Sequence, residues 1–339
     1  MKEQKRYVFL DFIRIVSMLL VVLAHCFVDS NLQPHNIMAH TVVYFTDLAV
    51  PLFFMISGAL ILNSSKTYDL KYLFWNRLRR IVVPFILWQI IASVVSQLYN
   101  RDFTWRHLLH TIIYMYHVPV SPAFWFIYTL VAFYLVSPFL KAALDHLNTQ
   151  TILYLLCLWY IFDILFNHLI LSAADPIKTI FSVYPQGQMN WFYGYFGYLV
   201  LGYLCLQRKI KLKYTGIWTS CLAALIIIFN VISPYLDNHY LKTSDILINA
   251  IIPFVTLGIF LICQEKEQLI SHNQTGVRVI EFIASLSYGF YLNHGIGIAT
   301  INQIWPHVRD FKLFILAASL TFVIVLIIKL IPGIKKILL

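Results

Sequence analysis

The sequence predicts an all-α protein, a polytopic integral membrane helical bundle of about ten transmembrane helices with both termini cytoplasmic. Three observations predict it. The 339 residues are 60% hydrophobic and 12% charged, with a mean hydropathy of +0.75, far outside the balance of soluble domains. Apolar windows of roughly 18 residues or more, the length that crosses a bilayer, recur from end to end and leave no stretch for a sizeable soluble domain. Lys and Arg are spread unevenly between alternate interhelical segments, as in proteins oriented by the positive-inside rule.

Taken in order, the windows lie near 7–28, 41–62, 80–99, 123–140, 151–171, 190–207, 215–235, 245–263, 279–301 and 312–331, within a single domain spanning 1–339. Between the third and fourth, Trp105 to His117 mixes polar and apolar residues at helical spacing and reads as a half-buried amphipathic helix. Pro84 and Pro253 fall inside the third and eighth windows, where a missing backbone donor predicts a kinked or offset span. Trp125, Trp191, Tyr193 and Tyr195 sit at span ends and read as interface-belt aromatics. Alternate loops carry eighteen Lys and Arg on the side with the termini and the segment from Asn63 to Arg79, against six on the other, which places the first side in the cytoplasm. That distribution accounts for the net charge of +10 with no nucleic-acid partner. The five cysteines are odd in number, lack CxxC spacing and lie in or beside apolar segments, so they indicate neither a disulfide framework nor a zinc site. Lys2, Lys5 and Arg6 precede an apolar run as in a signal peptide, but the run is of membrane-spanning length with no small-residue cleavage site after it, and it reads as a retained first helix.

That first window, YVFLDFIRIVSMLLVVLAHCFV, holds Asp11, Arg14 and His25. A charge near the middle of a transmembrane helix costs about 2.5–3.5 kcal/mol on insertion scales, so such residues face protein or water. Asp11 precedes Arg14 by one helical turn, and an ion pair between them lowers the cost of burying both. Arg14 and His25, eleven residues apart, return to within about 20° of one face and lie roughly 16 Å apart along the axis. Ser17, Met18, Val21 and Val22 fall between them and predict a narrow, mostly apolar groove with a cation at its inner end and an imidazole toward its outer end. Such a groove suits a long, thin ligand with a charged head and a reactive tip. A lone membrane histidine is often a packing residue, and Arg14 is near enough to the helix end to snorkel. The joint pattern favours function.

These residues resemble the signature of the membrane acyltransferase-3 family, integral membrane O-acyltransferases of surface polysaccharides. The matching stretches continue with PLFFMISGALIL at Pro51 to Leu62, an Arg-x-x-Arg at Arg77 and Arg80, FWFIYTLVAFYLVSPFL at Phe124 to Leu140 and SLSYGFYLNHGIGI at Ser285 to Ile298, so the resemblance covers nearly the whole chain. It implies a multi-pass cell-membrane enzyme that moves an acyl group, acetyl in the first instance, from cytoplasmic acyl-coenzyme A to a hydroxyl of a cell-surface or lipid-linked polysaccharide, with no metal. It implies that Arg77 and Arg80 contact the phosphates of acetyl-CoA or another acyl-CoA. Its partners would be membrane lipid, the donor, the polysaccharide acceptor and glycan-assembly proteins. Many members append a soluble hydrolase-like domain, whereas this chain stops at Leu339, so the acceptor falls to the membrane domain or to a separate partner. Many also carry an acidic residue just before the Phe-Phe pair, where this chain has Pro51; Asp47, one turn earlier, is a candidate replacement.

Acyl transfer to a hydroxyl needs a base for the hydroxyl proton, a hold on the donor and hydrogen-bond donors for the oxyanion. His25 is the best base in the chain, because an imidazole titrates near neutral pH. Arg14 cannot be a base; its fixed charge can hold a polar group of the donor or stabilise developing negative charge, with Asp11 orienting its fork. The patch of Lys66, Lys71, Arg77, Arg79 and Arg80 serves equally as a topology signal, an anionic-lipid contact or a phosphate site. Ser57-Gly58 has no Gly-x-Ser-x-Gly elbow around it and reads as close helix packing. His294 is a candidate for lining a cavity, Asp163, Asn167 and His168 form a polar cluster in the fifth window facing the acceptor side, and Glu281 and Asn190 read as capping or interfacial residues at helix starts. Two rival readings stay open: a polytopic glycan or lipid transporter, which buries charge in the same way, and an acyltransferase-like protein without catalysis that serves in assembly.

Overall fold

The computed structural model describes residues 6–31, 36–117, 119–175, 177–181, 194–239 and 241–339. Among them the regular structure is helical throughout, with no strand. The main helices are α1 (Val8–Cys26), α2 (Ile37–Thr46), α3 (Ala49–Leu62), α4 (Arg79–Asn100), α5 (Trp105–Tyr114), α6 (Trp125–His146), α7 (Thr149–Trp159), α8 (Phe196–Leu206), α9 (Thr215–Val231), α10 (Thr243–Glu265), α11 (Gln274–Ala284), α12 (Ser287–Ile304) and α13 (Asp310–Leu330).

Seven stretches among the described residues are long and apolar enough to cross a membrane: Val8–Cys26, Ile37–Leu62, Leu70–Asn100, Pro122–His146, Thr149–Ser172, Thr243–Glu265 and Asp310–Leu330. The other three windows read from sequence come out differently. α8 and α9 are apolar but shorter, and the beginning of the sixth window, with Asn190, Trp191 and Tyr193, lies outside the described residues. The ninth window divides. Its chain breaks at Ser285 and Leu286, where the Ser285 and Ser287 hydroxyls donate to the carbonyls of Phe282 and Ala284 at 2.6 and 2.7 Å. Serine satisfies the backbone groups that the break frees, and the result is an amphipathic α11 followed by a buried α12. The segment after α4 forms an amphipathic helix, α5, capped by Thr104, whose hydroxyl accepts from the His107 N–H at 3.2 Å, but it ends at Tyr114 and buries Leu108 alone, so it is largely exposed rather than half-buried.

Pro84, Pro138 and Pro253 all lie inside helices. Pro138 cannot donate to the carbonyl of Tyr134, and the Ser137 hydroxyl donates to it instead at 2.7 Å.

α1 is the axis of the bundle, packed against α3, α11, α12 and α13. Phe9, Leu10, Ile13 and Val21 join a core shared with α3, α6, α8 and α10. Met18, Val22 and Cys26 join a second core with Phe290, Leu313, Ala317 and Val325. Glu267, far away in sequence, caps α1: its carboxylate accepts from the Val8 and Phe9 N–H groups at 3.2 and 2.8 Å, placing negative charge at the positive end of the helix dipole.

Lipid tails are as apolar as leucine, so helix association in a membrane depends on close van der Waals approach rather than on burial from water. The α3–α8 contact shows how. A Cβ on Gly58 would stand 1.8 Å from the Leu199 carbonyl oxygen, and one on Gly202 would stand 1.9 Å from that of Met55. The small residue beside Ser57 is thus a packing device. On the outside, α13 turns Ile315, Val323, Ile327 and Leu330 outward, a face that a membrane accepts and water does not.

Candidate active site

At one end of α1 a cavity of 530 Å³ gathers Arg6, Arg14, Arg77 and Arg80, together with Asp11, Tyr72, Asn76 and Tyr134. Asp11, 5% exposed, takes both arginines of its own helix region. One carboxylate oxygen accepts from Arg6 Nε at 2.7 Å and the other from Arg14 Nη1 at 3.1 Å. The ion pair foreseen between Asp11 and Arg14 is present, but it is a triad. Arg6, read from sequence as a topology charge only, also meets Glu281 at 3.3 Å. Glu281 stands in the last turn of α11, not at its start, and Asn273 is the residue that caps that helix.

Arg77 sits in a π-helical turn, Leu73–Leu78, that leads into α4. The wider π turn brings it and Arg80 onto the same cavity wall, and Arg77 Nη1 donates to Thr67 Oγ1 at 2.9 Å. Neither Arg77 nor Arg80 has a carboxylate partner among the described residues. Arg79 turns away over the Trp75 ring, and Lys66 lies over the ring of Tyr72. Four guanidinium groups therefore meet two carboxylates, and the surplus positive charge is what an anionic ligand would neutralise.

A second cavity, of 360 Å³, shares Arg14, Leu60, Ile81 and Tyr134 with the first. Beyond these its walls are mainly Phe53, Phe126, Tyr288 and Tyr291, with Ser57 among them. Phe53, Phe126 and Tyr291 form a triangle of rings, with centroids 5.6 Å apart for Phe53–Phe126 and Phe126–Tyr291 and 6.4 Å for Phe53–Tyr291.

Past these rings lie the two imidazoles. The Tyr291 carbonyl is hydrogen-bonded to Nδ1 of His294, a buried residue 1% exposed. A carbonyl only accepts, so this nitrogen carries the proton and Nε2 is left as an acceptor. The His294 ring lies 5.3 Å from that of His25, tilted by 34°. His25 in turn lines a third cavity, of 640 Å³, with Asp47, Trp125, Asp163, Asn167, His168, Tyr195 and Asn249. Asp163 is in another π turn, Tyr160–Phe166, and accepts from Trp159 Nε1 and the Gly194 N–H, both at 3.0 Å. π turns are rare and recur at functional sites; here one carries Arg77 and the other Asp163.

One sequence expectation is overturned. No continuous groove runs along α1 between Arg14 and His25. Ser17, Met18 and Val22 are buried in helix packing, and only Val21 reaches a cavity. A stripe on a central helix is covered by whatever packs there, and α12 and α13 cover this one. The space leading from Arg14 lies instead between α3, α6 and α12. Arg14 and His25 border different cavities; the link between them is Tyr291, whose ring stands 5.6 Å from that of His294, the neighbour of His25. Trp125 and Tyr195, read as belt residues, prove to line the His25 cavity. Among the described residues no three His, Cys, Asp or Glu side chains converge as a metal site would need.

Surplus arginines thus stand at one end of the central helix, and a pair of imidazoles toward the other. The chain belongs to the acyltransferase-3 family: the family's model, described as an acyltransferase domain, matches residues 7–331. It is an acyltransferase. No curated protein and no solved structure matches the chain.

Proposed function

We propose that this protein is an O-acyltransferase of ten membrane spans with cytoplasmic termini, moving an acetyl group from cytoplasmic acyl-CoA to a hydroxyl of a cell-surface or lipid-linked polysaccharide. The observation that carries the proposal is a cationic cavity that shares Arg14 with an aromatic-walled one, whose Tyr291 ring lies 5.6 Å from that of His294, the neighbour of His25.

Arg77, Arg80 and Arg14 hold the donor's phosphates by charge-assisted hydrogen bonds. Phe53, Phe126, Tyr288 and Tyr291 wall the path of its uncharged arm toward His25. The donor supplies an activated thioester carbonyl. His25 takes the proton of the acceptor hydroxyl as the hydroxyl oxygen bonds to that carbonyl carbon, and returns the proton to the departing thiolate when the carbon–sulfur bond breaks. His294 packs against His25, and Asp11 keeps the Arg14 fork oriented.

The experiment is release of free thiol from acetyl-CoA, together with acetylation of an added glycan, by protein purified into lipid nanodiscs. His25→Gln keeps much of the size but cannot act as a base, and is expected to lose about 10²- to 10⁴-fold in rate while inserting normally. Turnover at the unmodified rate in that variant removes the catalytic assignment and moves a transporter reading ahead of it.

A further inference from the structure

The two ends of the bundle differ in charge. The His25 cavity has no Lys or Arg in its walls among the described residues, but it has two carboxylates. Both oxygens of Asp163 are engaged, by Trp159 and Gly194. Asp47, just after α2, is exposed and lines the cavity. No salt bridge or side-chain hydrogen bond engages it among the described residues. A neighbouring polar cavity of 400 Å³ shares His168, Leu171 and Asn249 with this one and extends the space to Lys242 and Asp245. Asp245 accepts from the Tyr44 hydroxyl at 2.6 Å. Among the described residues the joined trough therefore has three carboxylates against one ammonium group. Its aromatic wall is Trp125, 39% exposed, lying against Tyr195 with ring centroids 5.3 Å apart.

A pyranose ring has an apolar C–H face and a rim of hydroxyls. The first suits an exposed indole, and the second suits carboxylate and amide groups. We infer that this trough is the acceptor subsite and that it takes a glycan segment free of carboxylates, built of neutral or amino sugars. Asp47 accepts a hydrogen bond from a hydroxyl or ammonium group next to the reacting hydroxyl. A uronic or sialic acid would bring its own carboxylate beside Asp47 and Asp245 in a partly enclosed space, where like charges repel strongly. The inference rests on the acyl-transfer reading above for the identity of the ligand.

The test is binding without donor, by isothermal titration at low salt to protein in nanodiscs of uncharged lipid, with oligomers of glucose, glucosamine and galacturonic acid as probes. Galacturonate oligomers should bind at least about tenfold more weakly than glucose oligomers, a ratio equivalent to about 1.4 kcal/mol. Glucosamine oligomers should bind more tightly than glucose, with an advantage that added salt removes. Asp47→Asn should bring galacturonate to within about threefold of glucose and abolish the glucosamine advantage. Galacturonate binding as tightly as glucose to the unmodified protein overturns the inference, as do unchanged ratios in Asp47→Asn or no binding of any oligomer. A parallel thiol-release assay separates the two ideas: the predicted binding order with no donor consumed under any acceptor would leave the subsite standing and refute acyl transfer.

Discussion

Replacing Asp11 by Asn is the sharpest way to ask whether the cationic cavity is arranged or merely basic. Asp11 binds two guanidinium groups through separate oxygens, Arg6 Nε at 2.7 Å and Arg14 Nη1 at 3.1 Å. Asparagine keeps the volume and one acceptor oxygen but removes the charge. The Arg14 arm is the better shielded and should lose about 1.5–3 kcal/mol, the range for hydrogen bonds to charged groups. The Arg6 side chain is half exposed, so water screens that arm to about 1 kcal/mol or less. Thermal unfolding in nanodiscs should therefore show a net loss of about 1.5–4 kcal/mol. The kinetic effect separates orientation from attraction. With one negative charge gone and all four arginines in place, the cavity is more positive, so the donor concentration at half-maximal thiol release should stay level or fall. The freed Arg14 fork, no longer held toward the aromatic cavity, should lower the maximal rate about tenfold, or about 1.4 kcal/mol of barrier. An unchanged unfolding temperature would show that the triad carries no stability. A raised donor requirement at unchanged maximal rate would show that Asp11 acts on donor affinity and not on Arg14's geometry, and would refute the reasoning.

Arg77→Ala and Arg80→Ala should show the opposite signature, each raising the donor requirement by about 1–3 kcal/mol, less at high salt, as charge-assisted contacts do; titrating acetyl-CoA against thiol release at two salt concentrations checks this. Gly58→Ala places a methyl group where the Leu199 carbonyl oxygen stands 1.8 Å away, so α3 and α8 must separate, and overpacking should cost about 1–3 kcal/mol or more in thermal unfolding, whereas Gly216→Ala, with open space around it, should cost little. A cysteine at position 66 in an otherwise cysteine-free chain should resist an impermeant thiol reagent in intact cells and react once the membrane is opened; strong labelling of intact cells would invert the orientation and separate the arginine cavity from cytoplasmic donor.

Much about this protein is set by local chemistry and so can be read along the chain. Apolar windows long enough for a bilayer are a property of contiguous residues, as is the one-turn spacing that pairs Asp11 with Arg14. The motif residues Arg14, His25, Arg77 and Arg80 stand out because charge and imidazole inside or beside apolar runs are costly wherever the chain folds. What depends on which helix covers which was not legible. The stripe between Arg14 and His25 looks like a groove on an isolated helix, and only the packing of α12 and α13 shows it to be filled. Arg6 has no local mark to set it apart from a topology charge, because its partners Asp11 and Glu281 converge on it from two helices. Glu267 caps α1 from the far side of the chain, and His294 stands beside His25 through a contact some 270 residues long in sequence. The break in the ninth window and the π turns under Arg77 and Asp163 arise because backbone groups in a helix can be repaired by a serine hydroxyl or a shifted register at small cost. The sequence by itself determines a helical chain with spans apolar enough for a membrane and singles out the candidate site residues; the tertiary structure alone decides which of them share a cavity, because that depends on distances between helices that no periodicity encodes.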